Sequence, residues 1–276
     1  MAAETRNTLS LSAKIVISLI IIFGVTFAQQ WFVSELEDKG NRLSAIAINL
    51  TFPIPVFLLT CCFNKKYTHL NVFDIGFGFA GSLKNLVRGM LTAAFIIGSV
   101  LLIATFFGVT VVFTGLQKDG GLVLLEFIAS NWVIGAWEEI YFRGFILNTM
   151  LSAKVRFHIG VFITAILFTV LHAGSYDITQ TTSFWFIEVM LLSYILTYLY
   201  IINRSIWAPV AFHASWDFLW DLLDDSENVM GLIQVNRYRE YSILLNNISI
   251  IILGIVLTIM IYGTRKKSKL YYEQIN

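Results

Sequence analysis

The chain has 276 residues, of which 57% are hydrophobic and only 13% charged, with a net charge of +1. A soluble domain is about a quarter charged, so the composition excludes an ordinary soluble protein, and a charge this close to neutral gives no reason to expect a nucleic-acid partner. The two cysteines, Cys61 and Cys62, are neighbours; they cannot close a structural zinc site and read as small apolar residues at a helix end, with reversible lipidation the alternative.

A membrane helix needs about 20 mainly apolar residues. Runs of that kind fall near residues 14–34, 44–63, 89–114, 122–151, 158–173, 184–202, 205–223 and 243–263. The fold expected is all-α and polytopic, with about eight transmembrane helices enclosing a polar intramembrane cavity, as one integral domain over 1–276. The first run, roughly Ile15–Val33, lacks a small-residue cleavage site and is expected to stay as an uncleaved helix. Asn64–Lys84 reads as a cytoplasmic connector lying partly at the interface. The fifth and seventh runs are short. The seventh, Ser205–Leu223, holds Pro209, His213 and Asp217 and is expected to face protein rather than lipid.

Loop charge orients the bundle. Arg6, Lys14, Lys65, Lys66, Lys84, Arg88, Lys154, Arg156, Arg204 and the cluster Arg265-Lys266-Lys267-Lys269 fall on the side shared by both termini, against Lys39, Arg42, Lys118, Arg237 and Arg239 opposite. By the positive-inside rule both termini face the cytoplasm of a multi-pass cell-membrane protein. The loop Asp224–Tyr241 then forms a polar outer cap.

Against this background three segments carry charge where charge is expensive. The fourth run holds Glu138, Glu139 and Arg143. Adjacent helical residues point about 100° apart, so the two carboxylates cannot share one task. Glu139 and Arg143 are four apart with the acid first, the favoured order for an ion pair. Glu138 is left without a cation of its own, which suits a general base. The fifth run ends Phe168-Thr169-Val170-Leu171-His172, with ring and imidazole on one face. The seventh holds His213 and Asp217, again four apart. Taken singly, each admits a purely structural reading: a packing ion pair, an interfacial histidine, a side-chain hydrogen bond. Depth argues for a joint reading. At 1.5 Å per residue, Glu138 lies about 24 Å from Lys154, His172 about 21 Å from His158 and Asp217 about 20 Å from Arg204. Glu188 reads as structural, and His69 and His158 as surface residues.

The motifs Glu-Glu-x-x-x-Arg at 138–143, Phe-x-x-x-His at 168–172 and His-x-x-x-Asp at 213–217, in this order and among eight apolar runs, resemble the CPBP family of intramembrane proteases. That family includes CAAX prenyl endopeptidases and Abi-like, bacteriocin-associated relatives. The resemblance spans about residues 85–223 and leaves the first two helices and the last uninformative. It implies an intramembrane endopeptidase of glutamate or metallo type. Glu138 would activate water, supported by Glu139 and Arg143; His172 would orient the water, and His213 and Asp217 would flank the developing oxyanion. The substrate implied is a peptide or protein, lipid-modified or not, taken from the membrane alongside lipid. No cofactor is required, but a divalent metal such as zinc stays open, and Glu138, His172 and His213 would then be its ligands. Two other readings stand beside the hydrolase: a non-catalytic bacteriocin self-immunity or scaffold protein of the same family, and a transporter using the carboxylates as a proton relay. The absence of an internal repeat disfavours transport.

Overall fold

The computed structural model of the chain describes residues 9–68, 70–113, 115, 120–172, 182–223, 233–235 and 239–275. Arg6, His69, Lys118, Arg237 and most of the expected outer loop lie outside them. The helices are α1 Leu11–Asp38, α2 Arg42–Thr51, α3 Pro53–Tyr67, α4 Ser82–Phe106, α5 Gly120–Tyr141, α6 Asn148–Ser152, α7 Phe157–His172, α8 Thr182–Asn203, α9 Trp207–Leu223 and α10 Arg239–Ile275. Helices α2 and α3 form one span broken at Pro53, whose ring pre-sets the first turn of α3. A π-helical segment, Phe142–Leu147, joins α5 to α6 in another continuous rod. Among the described residues, six rods are long and apolar enough to cross a membrane, and α7 is a shorter apolar helix. The protein is therefore an all-α polytopic membrane protein.

The third span begins and ends earlier than its apolar run suggests. Its end has a local cause. Gly108 takes φ +91°, Val109 N–H donates to Ala104 and Gly108 N–H to Thr105. These two bonds are the Schellman stop that a glycine makes without steric penalty. Beyond it Val111–Phe113 pairs antiparallel with Ile233–Val235. The apolar run hides this strand because a short run of Val and Phe serves strand and helix equally well.

Helix α9 is the inner element. It is buried along Ala208–Ala214 and packs between α4 and α5, as expected for a span carrying Pro, His and Asp. Two glycines bring the neighbours close. A Cβ on Gly89 of α4 would stand 2.2 Å from the Ala208 carbonyl oxygen, and one on Gly135 of α5 would stand 2.8 Å from the Ala214 amide nitrogen. Small residues at such crossings let membrane helices approach backbone to backbone. Gly135 precedes Glu138 by one turn and Ala214 follows His213, so this contact sets the distance between carboxylate and imidazole.

The π segment widens one turn, as π turns at functional sites do. Asparagine side chains take the carbonyls it exposes. Asn64 Nδ2 donates to the Gly144 carbonyl (2.8 Å) and Asn148 Nδ2 to the Arg143 carbonyl (3.0 Å). Unmet carbonyls in hydrocarbon would be costly, so α3 and α6 hold the widened turn that carries Arg143.

Helix α1 sits at the edge. A hydrogen bond of 2.7 Å between Ser18 Oγ and Tyr141 OH and an edge-on contact of Phe23 with Trp137 tie it to α5, and Gln29 donates to Asn49 of α2. Much of its surface is left to lipid, including Ile20, Ile21 and Trp31.

Candidate active site

Helix α5 presents Glu138 and Glu139 in different directions, as adjacent helical residues must. Glu139 is fully buried and points inward. Arg143 Nη1 donates to its Oε1 at 2.7 Å, and Arg143 Nη2 donates to the carbonyl and hydroxyl of Ser193 on α8 at 2.9 and 2.8 Å. The expected pair is present, and Ser193 is a partner that sequence spacing does not reveal. Glu138 faces a cavity of about 240 Å³, with His172 also in its wall.

The two histidines approach Glu138 from α7 and α9. His172 Nε2 lies 3.3 Å from Glu138 Oε2 and His213 Nε2 lies 4.0 Å from the same oxygen. That oxygen is buried and has no aligned hydrogen bond among the described residues. Each ring is held at its other nitrogen. His172 Nδ1 faces the Phe168 carbonyl at 2.7 Å, and His213 Nδ1 faces Glu139 Oε1 at 3.0 Å. Since both partners are acceptors, Nδ1–H donates in each, and both Nε2 atoms turn toward Glu138. Asp217 Oδ2 lies 3.3 Å from His213 Nε2.

Phe168 explains its own motif. The ring lies 4.3 Å from that of His172 and 5.7 Å from that of His213, and the Arg143 guanidinium sits 4.8 Å above it. A phenylalanine one turn before the histidine thus fixes the imidazole plane and shields Arg143 by a cation–π contact.

All six residues singled out in the sequence are brought to one place. Besides the Ser193 contact, two features of the arrangement were not anticipated. Glu139 serves two partners, Arg143 and His213. A second polar contact lies beyond Asp217, where Asn131 Nδ2 on α5 donates to Asp221 Oδ2 on α9 at 2.6 Å. The spacings Asn131 to Glu138 and Asp217 to Asp221 are seven and four, and either could have marked a continuing polar face. Glu188 lies apart; it accepts from Ser249 Oγ of α10 at 2.6 Å, in keeping with a structural role. His158 is exposed.

The charge balance of the cluster is informative. Three carboxylates, Glu138, Glu139 and Asp217, stand against one permanent cation, Arg143. Protons on both imidazoles or one divalent cation would neutralise the remainder, and buried charge persists only when compensated. The ligand atoms of Glu138, His172 and His213 lie within 4.8 Å of one another. Both histidines also donate Nδ1–H to an oxygen, as metal-bound histidines usually do. These residues therefore fit a zinc-like ion as well as a metal-free centre.

Fold and site together define a helical membrane protein with a buried carboxylate–imidazole centre reached from a cavity within the bundle. Residues 120–219 match the family model described as type II CAAX prenyl endopeptidase Rce1-like. The matched segment contains all six site residues, and the match agrees with the resemblance of the three motifs to the CPBP/CAAX membrane proteases. No curated protein matches the chain.

Proposed function

We propose that the protein is an intramembrane endopeptidase that hydrolyses a peptide bond with a water activated by Glu138. The observation that supports this reading best is the convergence of His172 Nε2 and His213 Nε2 on an otherwise unbonded oxygen of Glu138, a residue that lines a cavity. Glu138 takes a proton from water, and His172, locked by the Phe168 carbonyl, orients that water. The hydroxide attacks the scissile carbonyl. His213, anchored at Nδ1 by Glu139, offers a proton at Nε2 to the oxyanion, and Glu138 returns its proton to the leaving amine. No serine or cysteine is required. Ser215 lies two positions from His213, off its face of the helix.

A divalent metal bound by Glu138, His172 and His213 would supply Lewis-acid activation of water. Glu138 would then be a ligand, and a different base would be needed. Exhaustive chelation of the purified protein, with metal analysis of the same sample, separates the two. We expect hydrolysis to persist at metal contents far below one equivalent. Loss on chelation and recovery with zinc would assign the three residues to an ion.

Asp217 Oδ2 lies 3.3 Å from His213 Nε2, placed to accept from the ring, so we assign Asp217 the role of orienting His213. Because Glu139 also holds that ring, Asp217→Asn should keep hydrolysis within about tenfold of wild type, whereas His213→Ala should lose about 10²–10³-fold. Comparable losses in both variants, measured on one peptide substrate, would remove the orienting role.

The family resemblance also admits a non-catalytic immunity or scaffold protein. Such a protein would keep its phenotype with Glu138→Gln, which preserves shape and abolishes the base. Both termini in the cytoplasm, as the loop charges imply, remain part of the proposal.

A further inference from the structure

The cavity in front of Glu138 is not built by the family-matched segment alone. Its second wall is α1, which lies wholly outside residues 120–219. Phe23, Phe27 and Gln30 stand at i, i+4 and i+7, one face of a helix. They line the cavity opposite Trp137, Phe142 and Leu171, and Glu138 and His172 complete the lining.

The chemistry of the lining is divided. The α1 and α5 aromatic rings make an apolar chamber next to the acid. Thr26 also lines it, but its hydroxyl already donates to the Ile22 carbonyl at 2.9 Å. Gln30 has no hydrogen-bond partner among the described residues and is exposed at the cavity. A primary amide offers donors and an acceptor together, which matches the alternating N–H and C=O groups of an extended peptide and has no use for a hydrocarbon chain.

We infer that α1 is the specificity-determining wall of this site: Phe23 and Phe27, with Trp137 and Phe142, hold a bulky apolar side chain of a membrane-borne peptide beside the scissile bond, and Gln30 holds its main chain. This inference rests on the endopeptidase reading and deepens it. Helix α1 is suited to the task, since its ties to α5 are few and its outer face is left to lipid, so a substrate can enter between α1 and α5.

The test uses full-length protein, wild type, Glu138→Gln and Phe27→Ala, in phosphatidylcholine vesicles. The probe is a randomised pool of membrane-anchored decapeptides carrying one photoreactive benzoylphenylalanine. Cross-links are mapped by mass spectrometry and cleavage is read in the same samples. Phe27 is 73% exposed, so its truncation leaves the bundle assembled. We expect labelling of residues 23–30 from probes within two positions of the cleaved bond, retained in Glu138→Gln. We also expect a KM at least about tenfold higher in Phe27→Ala for peptides with Phe or Leu at that position, unchanged for Ala, as loss of an aromatic contact predicts. Cleavage without α1 labelling would overturn the inference and leave the protease reading standing. Labelling without cleavage by the wild type would keep the peptide site and remove the protease reading; neither signal would remove both. Labelling of α1 by a photoreactive phosphatidylcholine, undiminished by peptide, would assign the chamber to lipid and overturn the inference.

Discussion

Glu138→Gln is expected to lower peptide hydrolysis by about 10²–10⁴-fold, the range ascribed to a positioned general base, with the helix bundle intact. The substitution keeps the side chain's length and its place in the cavity wall. It removes the negative charge that faces His172 Nε2 at 3.3 Å and His213 Nε2 at 4.0 Å. An amide can bind water but cannot take its proton, so the loss should appear in kcat rather than KM. Purified variant and wild type, matched for elution volume and melting behaviour, compared on one peptide would show it. Activity within a few-fold of wild type would mean that Glu138 is not the base.

Arg143→Met should act on assembly before chemistry. Arg143 is buried, and it donates to Glu139 and to two acceptors on Ser193. Its removal takes from the buried Glu139 carboxylate its cationic partner and leaves it only the contact with His213 Nδ1. Breaking one partner of a buried ion pair costs about 3–5 kcal/mol, whereas replacing both by apolar or neutral groups can be nearly neutral. The single variant should therefore melt far below wild type. The double variant Glu139→Gln with Arg143→Met should recover most of that loss while staying inactive, because an amide at position 139 no longer offers the carboxylate that anchors His213. A single variant as stable as wild type would show that the pair contributes little to the bundle.

How far the site could be read without coordinates depended on how each residue acts. The Glu139–Arg143, Phe168–His172 and His213–Asp217 contacts are local, four residues apart on one helix, and helical geometry exposes such pairs in the sequence. Glu138 was separated from Glu139 by the same rule. The tertiary contacts left no such trace. Nothing in α8 marks Ser193 as the partner of Arg143, because membrane helices carry many serines. The link from His213 to Glu139 crosses between α9 and α5 and depends on Gly135 and Ala214 letting the backbones meet. Helix α1 was silent for a different reason. An aromatic facing a cavity and one facing lipid look alike in sequence, so Phe23 and Phe27 read as part of a plain apolar span. At the scale of the fold, each of the eight apolar runs became helix, since backbone groups in lipid must be satisfied within a helix, but among the described residues only six of the resulting rods are long and apolar enough to cross a membrane. What was missed is the shape of their ends and interruptions: the Gly108 stop, the strand pairing beyond it, and the wide turn at 142–147, which rests on Asn64 and Asn148 from elsewhere in the chain.

The most direct measurement compares the membrane-associated peptides of cells carrying wild-type protein with those of cells carrying Glu138→Gln at equal abundance. Hydrolysis by this centre predicts a defined set of cleaved peptides, with new termini, present with the wild type and missing with the variant. Identical peptide profiles from the two would contradict it.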